Sequence, residues 1–396
     1  MLLGIMLRKS SKSIQLTLNE IVSLFPSHIP SVTGAAYTKA RRKIRHTAFI
    51  ELNQQVVVNL TYADTYQTYH GHRLLALDGS KILLPDTPEN KQAFGAISYV
   101  NQDKNVHGEH AWARASVLYD VLNNIVVDAA LARIDTSEID LAHEHLSQSK
   151  PNDLVIFDRG YCAYTTMAAV KAARADFLIR CHRRSFQTAR DMFTGTGADS
   201  ITVTVPVPEN VTRSDRVTQD LPEDITVRFV RVILPTGEIE VLVTSLLDEG
   251  TYPTVSFQEL YWKRWGVETF YGIIKTRLSL ENFSGYSAES VRQDFFVTVF
   301  LSGLESIMTE DVDDELKRKA TRHTQQVNKA VSFNAIKHRA FDVILGDQSP
   351  EQIVEDLTNL FLTSPTLYRP NKQPERKKNS TKQILNFFRR KRKAVF

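Results

Sequence analysis

Apolar positions change period several times along this chain, and each change marks an element. From Ser256 to Leu280 (SFQELYWKRWGVETFYGIIKTRLSL), Leu260, Val267, Phe270, Ile273, Ile274 and Leu278 recur at helical spacing, without an intervening proline. Ser256 followed by Glu259 has the form of a capping box, so the pattern predicts one amphipathic helix over the whole stretch. On a wheel of about 100° per residue, Tyr261, Arg264, Glu268 and Lys275 fall within an arc of roughly 60° away from the apolar face. An acid, a phenol and two cations on one stripe suit a helix that holds a metal and grips phosphate. A solvated face with an ordinary Arg264–Glu268 ion pair has the same appearance. Gly272, beside the stripe, would let another backbone approach closely.

Upstream, residues 14–26 read as a short helix ended by Pro26, and a second helix begins near Thr33 and runs through Val56. The second carries Lys39, Arg41, Arg42, Lys43 and Arg45, so the pair reads either as a helix-turn-helix-like DNA reader or as a solvated basic helix. From His72 the period shortens. HRLLALDGSKILLP predicts two strands joined by a turn at Asp78-Gly79-Ser80, followed by a polar loop from Asp86 to Gly108. Ala113–Tyr119 and Ile125–Ala132 are further strands around an Asn123-Asn124 turn. A helix over TSEIDLAHEHLSQ follows, opened by Thr136 or the residue before it. DLVIFDRGY is an apolar strand ending in Asp158, and a helix (YTTMAAVKAARA) and the strand DFLIRC complete the series. With HRLLALDGSKILLP counted once, three strands, a helix, a strand, a helix and a strand make an α/β fold with a five-stranded mixed sheet of the ribonuclease H-like type. Its first and fourth strands are neighbours, so Asp78 and Asp158 are expected side by side.

Between Arg183 and Gly250 the composition turns to Thr, Val, Pro and charges, predicting an inserted antiparallel β unit with a hairpin at Pro235-Thr236-Gly237. After the central helix, SAESVRQDFFVTVFLSGLESIM and NKAVSFNAIKHRAFDVIL read as helices. The expected divisions are a helical DNA-binding domain at 1–65, a catalytic core in two parts at 66–182 and 252–310, the β insertion at 183–251, and a helical region with a basic tail at 311–396.

Charge sharpens this picture. The chain of 396 residues has a formal net charge of +4, yet residues 371–396 hold ten Lys/Arg and one Glu, leaving a net acidic remainder. Local basic segments beside an acidic body suit a protein that meets nucleic acid. Two cysteines, Cys162 and Cys181, are too few and too far apart in sequence for a disulfide framework or a zinc knuckle, which points to a reducing compartment. Neither is expected to act as a nucleophile. No signal-type segment and no apolar run of about 18 residues is present, so no membrane association is expected. His143, His145, His107 and His110 lack the spacing of a zinc site and are assigned to surface or core.

The spacing Tyr261-x2-Arg264-x3-Glu268-x6-Lys275, with Asp78 in LDGS and Asp158 in FDRGY upstream, resembles the signature of bacterial insertion-sequence DDE transposases. Within these it is similar to the Tyr-Arg-Glu-Lys group of the family-four type, over roughly residues 70 to 285. The resemblance implies that Asp78, Asp158 and Glu268 bind two Mg²⁺ ions, for which Mn²⁺ substitutes. Two ions about 4 Å apart would activate an attacking oxygen and stabilise a leaving one. Tyr261, Arg264 and Lys275 would contact phosphates of the element end. Trp265 would lie beside a flipped base, or else be a core tryptophan, and Arg180 would touch DNA. The N-terminal helices, with Arg41 and Arg42, would bind the terminal inverted repeats.

The implied reaction is cut-and-paste transposition of double-stranded DNA, through a hairpin, into target DNA. A homodimer on DNA in the bacterial cytoplasm, associated with the nucleoid, would carry it out. Two alternatives stay open: a ribonuclease H-like nuclease without strand transfer, and a catalytically inactive regulator derived from a transposase.

Overall fold

The strands that position the acids begin with β1, Leu74–Leu83. It is followed by β2 (Ala96–Val100), β3 (Val106–Asp120), β4 (Ile125–Arg133), β5 (Leu154–Phe157), β6 (Asp176–Arg180), β7 (Ser200–Pro206), β8 (Asp224–Ile233) and β9 (Ile239–Thr244). The structure is a computed structural model, which describes residues 2–8, 12–25, 31–100, 106–195, 197–209, 220–234 and 236–368. The basic tail and Pro235 of the expected hairpin turn lie outside the described residues. Contacts group the chain into two units, one of Met1–Leu60, Leu83–Ala111 and Ile273–Phe396, the other of Thr61–Ile82 and Trp112–Gly272.

In the second unit the strand order is β4-β3-β1-β5-β6-β9-β8-β7, with β1, β5 and β6 parallel and β9 antiparallel to β6. The first five in this row form the mixed α/β sheet of the expected ribonuclease H-like fold, and the three strands of the 183–251 region continue the same sheet. Alternate residues serve opposite faces. Leu75, Leu77, Val155, Phe157, Phe177 and Ile179 point into one core with Met167 and Ala168 of the Tyr164–Ala172 helix. Leu74, Leu154, Ile156 and Leu178 point into the other, with Phe257, Leu260 and Tyr261. Burial on both faces is why β5 reads as an unbroken apolar run, and each such side chain stabilises by about 1.5–3 kcal/mol.

Register is pinned at the start of these strands. Arg73 donates to both carboxylate oxygens of buried Asp153 at 2.7 and 2.6 Å, and the Leu154 N–H donates to the Arg73 carbonyl at 2.9 Å. The next residues, Leu74 and Leu154, are paired, and the ladder runs to Leu77 opposite Phe157.

The first unit contains the helix Ala288–Arg318, against which the N-terminal segment packs. Gly303 of that helix passes so close to Val57 that an added Cβ would stand 2.5 Å from its Cγ1. Arg41 is buried, donating to Gln293 Oε1 at 2.7 Å, Ser284 Oγ at 2.5 Å, the Ser290 carbonyl at 2.9 Å and Asp294 Oδ1 at 3.0 Å. It therefore joins helices and is not presented to a phosphate, which corrects its expected role; Arg42 is exposed. No described helix is long and apolar enough to cross a membrane.

Several predicted elements differ. The helix expected from Thr33 to Val56 breaks after Gly34–Arg41, where burial of Arg41 and capture of the His46 N–H by Glu289 at 2.6 Å redirect the chain. β1 continues through Asp78-Gly79-Ser80 instead of turning. Gly79 there allows close packing, since its Cβ would stand 3.4 Å from Glu138 Cγ and 3.5 Å from the Ala115 carbonyl. The expected loop after Asp86 contains the helix Pro88–Phe94, opened by a Thr87 cap with proline in its first turn, and then β2. The helix expected at TSEIDLAHEHLSQ is Glu138–His145, capped by Ser137.

Candidate functional site

Because Leu77 pairs with Phe157, and Phe157 with Ile179, the next residues stand at one level on three adjacent strands: Asp78 within β1, Asp158 just past β5 and Arg180 at the end of β6. The carboxyl ends of parallel strands are where open α/β sheets place their chemistry. Asp158 Oδ1 lies 3.0 Å from Arg180 Nη2 but is out of line for a hydrogen bond with it, so this buried oxygen has no hydrogen-bond donor. Arg180 also donates to Glu240 Oε1 of β9 at 2.7 Å.

Glu268 arrives from the segment that the sequence reads as one helix. The chain instead forms the helices Phe257–Trp262 and Trp265–Thr276. Between them, i→i−3 bonds from the amides of Lys263, Arg264, Gly266 and Val267 tighten the backbone. Ser256 forms no side-chain cap; its hydroxyl donates to the Pro253 carbonyl. The glycine in close contact is Gly266, whose Cβ would stand 3.3 Å from Val121, whereas one on Gly272 would meet nothing within 4 Å.

This tightened turn brings Tyr261, Arg264 and Glu268 to the two aspartates. Arg264 is buried and donates through Nη2 to Glu268 Oε1 at 2.5 Å, while its Nε has no acceptor. Burial pushes Asp78 up to about 6. The Gly79 N–H and Arg264 oppose that shift, and the charges of Glu268 and Asp158 add to it. Glu268 and Asp158 thus both act on the buried Asp78 carboxyl. Tyr261 is 5% exposed, its hydroxyl has no partner, and burial raises its pKa against the lowering influence of Arg264 and Arg180.

Trp265 is 37% exposed, with the Arg264 guanidinium 5.4 Å from its ring centre, so it is a rim residue and not a core tryptophan. Trp262, 52% exposed and 6.1 Å from Trp265 between ring centres, joins it. Lys275 stands in the last turn of the Trp265–Thr276 helix.

Sequence reasoning missed four residues around Asp78. Tyr271 is buried and donates its hydroxyl to the Asp78 carbonyl at 3.2 Å; its place three residues after Glu268 was the available signal. Buried Tyr161 has an unpartnered hydroxyl whose pKa is raised by burial and then by Asp78. Arg114 and Glu138, ion-paired with each other, both act on Tyr161 and have no sequence signal. Of the histidines, His145 is a core residue, buried between Asp128 at 2.7 Å and Ser116 at 3.0 Å. Beside Arg180 lies a cavity of about 160 Å³ with Arg159, Cys181, His182 and Arg183 in its wall.

Hard divalent cations take carboxylate oxygens, and an orphaned Asp158 oxygen near Asp78, which also feels Glu268, is a donor set of that kind. Among the described residues no three acidic, histidine or cysteine side chains stand ready to hold a metal. Arg264 holds Glu268, and Arg180 neighbours Asp158, so a cation would compete with two guanidinium groups.

A family model described as the transposase DDE domain matches residues 69–302. The Escherichia coli K12 transposase InsG for insertion sequence element IS4 is 24% identical over 260 residues, 65% of this chain and 56% of that protein. The putative transposase InsZ of the same strain is 27% identical over 127 residues, 32% of this chain and 41% of that protein. The chain therefore spans about half the length of the curated relatives it matches. A cryo-EM structure of the piggyBac transposase synaptic complex with hairpin DNA aligns with a TM-score of 0.41 at 7% identity, covering 79% of this chain and 61% of that one. With its two aspartates and its glutamate inside the matched region, the chain belongs to the transposase DDE domain family.

Proposed function

We propose that this chain is a member of the Tyr-Arg-Glu-Lys group and cuts and joins double-stranded DNA at the ends of its own insertion sequence by a cut-and-paste route. The observation that carries the reading is the register that sets Asp78 beside Asp158, with Glu268 in the same electrostatic field. DDE transposases generally use divalent metal ions, and here Asp78, Asp158 and Glu268 would hold two Mg²⁺. When bound, these ions would activate the attacking oxygen and stabilise the departing one.

The chain's own groups then have distinct tasks. Arg264, released from Glu268, offers its planar fork to a backbone phosphate, and the unpartnered Tyr261 hydroxyl and Lys275 add further contacts. Arg180 leaves Asp158 and faces the same backbone. Trp265, exposed beside Arg264, supplies a stacking face for an unpaired base, an interaction of about 1–3 kcal/mol. Exposed Arg42 contributes to holding the terminal repeats. Water cuts first, and the freed 3′-hydroxyl attacks the opposite strand to form a hairpin; reopening precedes transfer to target DNA. Two ends must be held together, so the acting species is a homodimer on DNA.

The test is cleavage of end-labelled duplex carrying the terminal repeat, in Mg²⁺ or Mn²⁺, by the parent and by Glu268→Ala. We expect at least a hundredfold loss of cutting with DNA binding retained, and a hairpin product from the parent. Equal cutting by both would remove the three-acid assignment. Binding without cutting by the parent would replace this reading with that of an inactive regulator.

A further inference from the structure

The two cysteines, 19 positions apart in sequence, meet in the fold: the Cys162 thiol donates to Cys181 Sγ at 3.8 Å. Cys162 follows the one-turn helix Arg159–Tyr161 that begins immediately after Asp158, and Cys181 follows Arg180 at the end of β6. Each thiol therefore sits next to the segment carrying one member of the Asp158–Arg180 pair. Cys181 is 3% exposed and held in the sheet, its N–H donating to the Val241 carbonyl at 2.8 Å. Cys162 is only half-buried and lies in a loop, so it is the thiol with freedom to move.

We propose that Cys162 and Cys181 form a redox-active dithiol pair that a hydroperoxide converts into an intramolecular disulfide, displacing Asp158 relative to Arg180. A disulfide bond is about 2.05 Å long, so the sulfurs must close by somewhat less than 2 Å. Side-chain rotation with a small shift of the Cys162 loop supplies that distance. The chemistry has two steps. The Cys162 thiolate attacks the peroxide, breaking its O–O bond to give a sulfenic acid and, after protonation, water or an alcohol. Cys181 then attacks the sulfenic sulfur, the S–S bond forms, and the hydroxyl leaves as water with the thiol proton. Two thiols lose two electrons and the peroxide gains them; a dithiol reductant reverses the change.

The two thiols differ in the way this order requires. The Cys181 neighbour, Ser185 and the His182 N–H draw the Cys162 pKa down, whereas burial drives Cys181 up. Cys162 is itself partly exposed to solvent, and Cys181 lines the cavity beside Arg180, so a small peroxide can reach the attacking thiol. Oxidation would tie the Asp158 turn to the end of β6 and so disturb an acid on which the proposed metal-dependent cutting rests. The cross-link itself does not depend on that reading.

The experiment treats the purified full-length protein with stoichiometric hydrogen peroxide, then maps a non-reducing digest by mass spectrometry. We expect a Cys162–Cys181 linked peptide and loss of both titratable thiols, reversed by dithiothreitol and absent in Cys162→Ser. Separate sulfinic acids, or links only between chains, would overturn the proposal. Cutting by the oxidised protein should fall at least tenfold and recover on reduction, while Cys162→Ser cuts normally and resists peroxide; a linked protein that cuts normally would overturn the displacement. Should the reduced parent cut nothing, that failure belongs to the functional reading. The displacement is then read from Mn²⁺ binding by electron paramagnetic resonance, where unchanged affinity on oxidation overturns it.

Discussion

Asp78 carries the clearest titration in the site, because burial and two neighbouring acids hold its proton up to about 6. A raised carboxyl pKa means that the native state binds the proton more tightly than the unfolded chain. Between about pH 4 and 6 the native state thus holds more protons, and stability falls as pH rises through that window. Above it the ionised group opposes folding by at most about 3 kcal/mol, a ceiling that solvent screening reduces. Asp78→Asn, measured metal-free by urea denaturation, should be more stable than the parent at pH 7.5 by about 1–2 kcal/mol, with the gain vanishing near pH 4. An asparagine variant equal to the parent at pH 7.5 would show that Asp78 is not strained. The same group must be ionised to hold a cation, so cutting should decline as pH drops below about 6. None of this was visible in LDGS. The motif located the acid, but its neighbours come from residues 158, 264 and 268.

At the scale of elements, the pairing of β1 with β5 does most to build the site. The Arg73–Asp153 ion pair holds that pairing at its buried end. Arg73→Ala would leave Asp153 buried and uncompensated, a loss of about 3–5 kcal/mol, and a chevron or melting series should register it. Loss below about 1 kcal/mol would mean the sheet sets its register without this pair.

The turn between the Phe257–Trp262 and Trp265–Thr276 helices makes a second such contribution. Gly266→Val places a branched side chain against Val121, where a Cβ alone would already be 3.3 Å away. About 1–3 kcal/mol of destabilisation is expected, with cutting reduced further because Glu268 shares the segment. Helical periodicity continues straight across this break. Nothing in the sequence signals that Val121, some 140 positions upstream, approaches Gly266.

For the whole molecule, the charge distribution yields a prediction independent of the catalytic site. Deleting residues 371–396 removes ten Lys/Arg against one Glu. Nonspecific affinity for duplex DNA should weaken at least tenfold at low salt, with a shallower dependence of binding on salt, since each phosphate contact adds about 0.9 to that slope. Fluorescence anisotropy across a salt series measures both, and an unchanged slope would assign the DNA contacts elsewhere.

The sequence by itself determined the alternation of strands and helices between Ala113 and Arg180 and the neighbouring placement of the first and fourth core strands, and it singled out three candidate acids. These are local matters: period-two and helical patterns, turn residues and short motifs report on a few consecutive positions at a time. The tertiary structure decided the rest. It turned Arg41 inward to Asp294, broke the central helix after Trp262, ran β1 through Asp78-Gly79-Ser80, and set Cys162 against Cys181. Each of these depends on which distant segment occupies the adjacent space. Burial and close approach are properties of pairs of elements, and one-dimensional patterning records only its own half of each pair.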